Sequence, residues 1–157
     1  MRSIVYAAFL ILAPGLALAE CREDGVDLKL QNGNTARFTI ELADEPQERS
    51  QGLMNREAMA SSAGMLFVFE RPGRVAFWMK NTLIPLDMIF TDATGLVTRV
   101  HGNAIPHDET PIDGGEGVLT VLEINGGLAK RLGITEGAIL RHPSLAQDTA
   151  GWPCAAQ

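Results

Sequence analysis

The side chains most suited to chemistry fall in one stretch, Phe77-Trp78-Met79-Lys80-Asn81-Thr82-Leu83-Ile84-Pro85-Leu86-Asp87-Met88-Ile89-Phe90. Lys80, Asn81 and Thr82 form a polar hinge between two apolar runs, and Asp87 is embedded in the second of them. Alternation along a strand puts Asp87, Ile89 and Thr91 on one face and Leu86, Met88 and Phe90 on the other. A carboxylate among such neighbours is either exposed or paired with a cation. Lys80, Arg49 and Arg56 are the available cations. Two readings follow. In one, a buried ion-pair network fixes the hinge and has no further role. In the other, Arg49, Arg56, Trp78, Lys80, Asn81 and Asp87 line a small polar cleft for a carboxylate, phosphate or sugar. Lys80 and Arg56 would supply charge there, Asn81 hydrogen bonds and Trp78 a stacking face.

Other chemistries find less support. Glu123 could join Asp87 as an acid/base pair only if the fold brought the two within reach. The serines Ser50, Ser61, Ser62 and Ser144 stand in no nucleophile motif, and Gly114-Gly115-x-Gly117 follows no strand and opens no helix. His101, His107 and His142 lack metal-site spacing. Met54, Met59, Met65, Met79 and Met88 carry soft thioethers that suit Cu(I). They lack the close repeat of a copper-binding run and lie mostly in apolar segments, which favours core packing. No catalytic residue, metal or cofactor is assigned.

The front of the chain has a different logic. Arg2 precedes the apolar run 4–13, Pro14-Gly15 breaks it, and Ala17-Leu18-Ala19 has the small-x-small form of a cleavage site. That is the pattern of a secretory signal peptide, residues 1–19, with cleavage after Ala19. The run is shorter than the about 20 residues that span a bilayer, and Glu20 before Cys21 does not suit lipid attachment. Export to the periplasm or beyond is the expectation. Loss of Arg2 with the leader would take the formal charge from −6 to −7. An acidic chain without a basic stripe is a poor partner for nucleic acid. In an oxidising compartment the two cysteines, Cys21 and Cys154, are expected to pair with each other.

The elements that would position the hinge read mainly as strands. Residues 26–30 and 35–42 alternate around an Asn32-Gly33-Asn34 turn and form a hairpin. A short helix follows from about Pro46 to Leu53, with Asp44 and Gln47 as its capping box. Strands are expected at 65–69, 75–79, 86–91, 96–100, 118–124 and 138–141, with a second brief helix at 128–132. Residues 101–116, rich in Gly, Pro, Asp and His, read as a long loop. A chain of 157 residues with 46% hydrophobic content suits one domain, here residues 20–157. The fold class is mainly β: a compact antiparallel sandwich or small barrel with two short helices.

Several motifs also carry a resemblance. Arg49-x-x-Gly52-Leu53-Met54-x-Arg56, Gly64-Met65-Leu66-Phe67-x-Phe69, the 77–90 block, Val121-Leu122-Glu123-Ile124 with Gly127, and Gly133-Ile134-x-x-Gly137 resemble the exported bacterial and archaeal family called domain of unknown function 192. The likeness runs from about Val26 to Leu140. It implies a compact, mostly antiparallel β-sandwich-like domain and brings no established activity. Ala138 stands where such proteins tend to carry aspartate, so no carboxylate role transfers there. The function expected is a non-catalytic binding domain for a small anionic or polyhydroxy ligand. The alternatives are an envelope interaction protein using the 101–116 loop, or an enzyme using Asp87 or Glu123.

Overall fold

The computed structural model describes residues 21–154, so the expected leader lies outside the described residues. Seven strands and two short helices follow in the order β1 (Gly25–Lys29), β2 (Thr35–Ala43), α1 (Pro46–Gln51), β3 (Ala63–Phe77), β4 (Leu86–Thr91), β5 (Val97–Ala104), β6 (Ile112–Asn125), α2 (Leu128–Leu132) and β7 (Ile139–Arg141). They form one sheet in the order β5-β4-β6-β3-β2-β1-β7. Neighbours are antiparallel except β2 and β3, which run parallel because α1 carries the chain back to the end where β2 began.

The sheet curls into a half-barrel, and its two edge strands meet at one end. Val97 N–H donates to Ala138 O at 2.8 Å, Gly137 N–H to Val97 O at 2.9 Å, and Leu140 N–H to Gly95 O at 2.8 Å. Gly95, at φ 83°, lies so close to the Leu140 carbonyl that a Cβ would collide with it. The seam therefore demands glycine at that point.

Period-two alternation sorts the apolar side chains into two cores, one on each face. Val26, Leu28, Phe38, Ile40, Leu66, Ile89, Leu122, Ile124 and Leu140 pack with Leu128 and Ala129 of α2. Met65, Phe67, Leu86, Met88, Phe90 and Val121 pack with Leu53 and Met79 on the other face. Every residue of β4 is buried, since it is covered on both sides. The methionines Met65, Met79 and Met88 lie inside the second core, in keeping with packing.

Three local expectations shift. The capping role at α1 falls one residue later than Asp44 and Gln47: the Glu48 carboxylate accepts the N–H groups of Asp44 and Glu45 at 3.3 and 3.2 Å. Arg71-Pro72-Gly73-Arg74 does not end a strand, because register shifts between Val68 and Ala76 let β3 continue through it against β6. The loop expected at 101–116 shrinks to 105–111. β5 runs on to Ala104 and β6 starts at Ile112, with Asn103, Gly115 and Gly117 taking positive φ. The 84–85 peptide is trans, as are all peptide bonds among the described residues.

Asp87 holds three of these elements together. It is completely buried. Its Oδ1 accepts from Asn103 N–H at 2.6 Å and Gly127 N–H at 2.8 Å, and its Oδ2 accepts from Ala129 N–H at 2.7 Å. A carboxylate from β4 thus satisfies the free amides at the start of α2 and one in β5. The cation expected beside Asp87 is replaced by backbone dipoles. Asp87→Asn would turn one acceptor into a donor facing a donor. Urea denaturation of that variant should show a loss of about 2–3 kcal/mol; an unchanged midpoint would refute this account of the residue.

The chain ends are tied by the Cys21–Cys154 disulfide, 133 residues apart in sequence. Beside it, Asp27 bridges Arg37 and Arg141 at 2.6 Å each, and the Arg141 guanidinium lies 4.1 Å from the centre of the Trp152 ring. His142 is buried next door. Its Nδ1 accepts from Ser144 N–H at 3.1 Å, and its Nε2 lies 3.0 Å from Glu23 O, so the neutral Nε2–H tautomer fits both partners. Burial lowers its pKa below the usual histidine value. In the window below about pH 6.5 the unfolded chain takes up a proton that the folded chain refuses, so stability falls as pH drops through it. The melting temperature of His142→Gln relative to wild type should rise as pH falls from 7.5 to 5, and a difference that stays constant over that range would refute this account of the residue.

Candidate functional site

One cleft joins the strongest chemical groups on the outer face of the sheet. The end of α1, the hinge, β3 and β6 enclose a volume of about 260 Å³. Phe67, Phe69, Phe77 and Trp78 supply aromatic walls, Leu53 and Met54 an apolar end, and Arg49, Thr82 and Glu123 the polar groups. The rings are locked by packing: Phe77 meets Phe67 edge-on at 5.1 Å and Phe90 at 6.0 Å. Trp78 is different, being 47% exposed at the cleft's edge.

Glu123 is the unusual member. Its cross-strand neighbours are Met65 on β3 and Met88 on β4, neither of which can compensate a charge. The residue is only 4% exposed, and no hydrogen bond or ion pair reaches its carboxyl among the described residues. Burial pushes its pKa up to about 8. The side chain is therefore an un-ionised acid at neutral pH, able to donate as well as accept. Close backbone approach keeps it in place: a Cβ on Gly64 would lie 2.6 Å from the Glu123 carbonyl oxygen, so only glycine lets β3 and β6 pack at this point.

The six residues expected to form the polar cleft are only partly united. Arg49 and Trp78 line it. Arg49 is already engaged, donating to Val68 O at 2.9 Å, to Asp44 O and to Glu70, with its guanidinium 5.5 Å from the Phe69 ring centre. Lys80 reaches the edge indirectly, with Nζ 5.0 Å from the Trp78 ring centre. Arg56 points elsewhere and forks onto Glu41, with Nη2 to Oε2 at 2.6 Å. Asn81 is a turn residue at φ 53° whose carbonyl accepts from Asn55 N–H at 2.8 Å. Asp87 pairs in register with Ile124, whereas Glu123 pairs with Met88, so the two carboxyls project from opposite faces of the sheet. Asp87 and Glu123 therefore do not make an acid/base pair.

Glu123 is the residue that the sequence underweighted. Its signal was present as one carboxylate inside Val121-Leu122-Glu123-Ile124, the same pattern that singled out Asp87. A short apolar run says that a carboxyl is buried and nothing about which face it occupies or what meets it there.

A curled β half-barrel with an acid-floored aromatic cleft is the class of structure that these features define. The model of domain of unknown function 192 (DUF192), described as "Uncharacterized ACR", matches residues 28–142, and the chain belongs to that family. Among solved structures, a "putative transcription regulator" from Sinorhizobium meliloti 1021 is 45% identical, with a TM-score of 0.74 over 77% of this chain and 94% of that one. A protein of unknown function from Novosphingobium aromaticivorans DSM 12444 is 42% identical, with a TM-score of 0.71 over 74% of this chain and 82% of that one. No curated protein matches the chain. No helix among the described residues is long and apolar enough to cross a membrane.

The raised pKa of Glu123 has a measurable cost. Between about pH 4.5 and 8 the folded chain keeps a proton that the unfolded chain has released, so stability falls as pH rises through that window. Glu123→Gln removes the titration and keeps the shape. Its gain in unfolding free energy over wild type should grow with pH, by on the order of 1 kcal/mol per unit, and level off above pH 8. Chemical denaturation at pH 5 and pH 8 measures it, and equal gains at the two values would show that Glu123 is not buried as described.

Proposed function

We propose that the mature chain, residues 20–157, is an exported single-domain binding protein. It takes a small polyhydroxy ligand in the Trp78–Glu123 cleft and performs no chemistry on it. One observation carries this reading: a carboxyl without a protein partner among the described residues reaches a cleft with aromatic walls, at a cost to stability that a glutamine would not incur. Aromatic faces beside a hydrogen-bonding group suit a sugar, whose ring has an apolar face and a polar edge. The half-exposed Trp78 supplies the stacking surface.

The anionic half of the expectation has less behind it. The charge of Arg49 is matched by Glu70 and that of Arg56 by Glu41, so neither guanidinium is free to attract an anion. Catalysis by paired carboxylates has no support either, since Asp87 and Glu123 lie on opposite faces. Nucleic acid is not part of the reading: the formal charge of −6 offers no electrostatic footprint for it. Export is supported by the Cys21–Cys154 disulfide together with the leader pattern of residues 1–19.

The test is an amide and indole NMR titration of residues 20–157 with glucose and maltose, and with acetate and phosphate as the anionic arm. Millimolar sugar should shift the Trp78 indole N–H and the residues flanking Glu123, and Trp78→Ala should weaken binding at least tenfold, as loss of a stacking face does. Shifts with phosphate alone would restore the anionic reading. No shift with any of the four would end the reading of this cleft as a small-ligand site.

A further inference from the structure

We propose that Glu123 selects the ligand by donating a hydrogen bond to an uncharged carbonyl oxygen, so that the cleft prefers an acetamido sugar to a plain one. The inference rests on the reading of the cleft as a sugar site and goes further by naming the group recognised.

The walls define what can sit beside the carboxyl. Phe67, Phe77, Leu53 and Met54 give the cleft an apolar surface that suits a methyl group, beside the polar Arg49 and Thr82. An acetamido arm presents a methyl together with a carbonyl that accepts and does not donate. Such an oxygen pairs with a protonated carboxyl and is repelled by an ionised one.

The surroundings also keep the carboxyl in the donating form. On the sheet, Glu123 is flanked by Met65 of β3 and Met88 of β4, which do not titrate. From α1 comes Arg49, whose charge is already shared with Glu70 of β3. From the hinge comes Lys80, held over the outer Trp78 ring. None of these cations has a hydrogen bond to the Glu123 carboxyl, and its pKa is pushed up to about 8 by burial alone. Recognition of a carbonyl is then linked to proton occupancy: affinity is constant well below pH 8 and falls about tenfold between pH 6 and pH 9.

The experiment is isothermal titration of residues 20–157 with N-acetylglucosamine and with glucose, at pH 6 and pH 9. Neither sugar titrates in that range. Wild type should bind N-acetylglucosamine about tenfold more tightly than glucose at pH 6, in line with one hydrogen bond to a buried group, and should lose the preference at pH 9. Glu123→Gln keeps a donor that does not titrate, so it should hold the preference at both pH values. Glu123→Leu keeps the cleft apolar and should bind both sugars equally at pH 6. Equal affinity for the two sugars at pH 6, a preference that survives at pH 9 in wild type, or a Leu variant that retains it would each overturn the role of Glu123 while leaving a sugar site in place. Absence of binding by either sugar at pH 6 would overturn the sugar reading itself.

Discussion

Three backbone amides on one carboxylate hold this fold's architecture together. Asp87 sits near the start of a strand buried on both sides, and its oxygens accept from the Gly127 and Ala129 N–H groups that the short helix α2 leaves open. The same side chain fixes Asn103 at the far end of β5. A five-residue helix has almost no stability of its own. It persists here because its first turn is fastened to a fixed negative charge and its apolar residues Leu128 and Ala129 close the inner core. Burying a carboxylate without a cation is costly, and three short N–H···O bonds are one of the few arrangements that offset the cost.

Asp87 and Glu123 make an instructive pair because they are neighbours in the sheet and opposites in chemistry. Both are acids in apolar strands. One faces the inner core and is saturated by backbone donors, so its role is architectural. The other faces the outer cleft between two methionines and is given no donor, so its own proton is what makes burial tolerable. A side-chain period of two separates these fates, since a slip of one residue in register would exchange the faces of the slipped strand's residues. The bulges of β3 and the tight Gly64 contact are what hold that register against β6.

Much of this was legible in the sequence, and the limits are physical. The Asn32-Gly33-Asn34 hairpin, the two helices and the alternation of Asp87 with Ile89 against Met88 with Phe90 all express local rules, and all appear in the structure. Breaker residues misled where the sheet could absorb them. Pro72 and Gly73 lie within β3, and the Gly-rich 112–117 segment is strand, because bulges accommodate what a regular ladder would not. The chain does turn at Lys80-Asn81, where the sequence placed the hinge. What could not be read was pairing. Arg56 finds Glu41 and Arg49 finds Glu70 across 15 and 21 residues of sequence, and no local pattern encodes either choice. Nor does a sequence state that a carboxyl will have no partner, which is the property that makes Glu123 distinctive.

The disulfide has a mechanical meaning as well as a stabilising one. Cys21 and Cys154 bring the two ends of the described chain to Cα positions 5.6 Å apart, outside the sheet and beyond its last strands. Tension applied through the two ends would pass across the sulfur bridge and by-pass the strands entirely. The half-barrel would feel no load, and the cleft would keep its shape while whatever is attached to the ends is pulled. With the bridge reduced, the same tension would enter at β1 and at β7, which pair with each other at one edge of the sheet. It would open the fold from the seam inward.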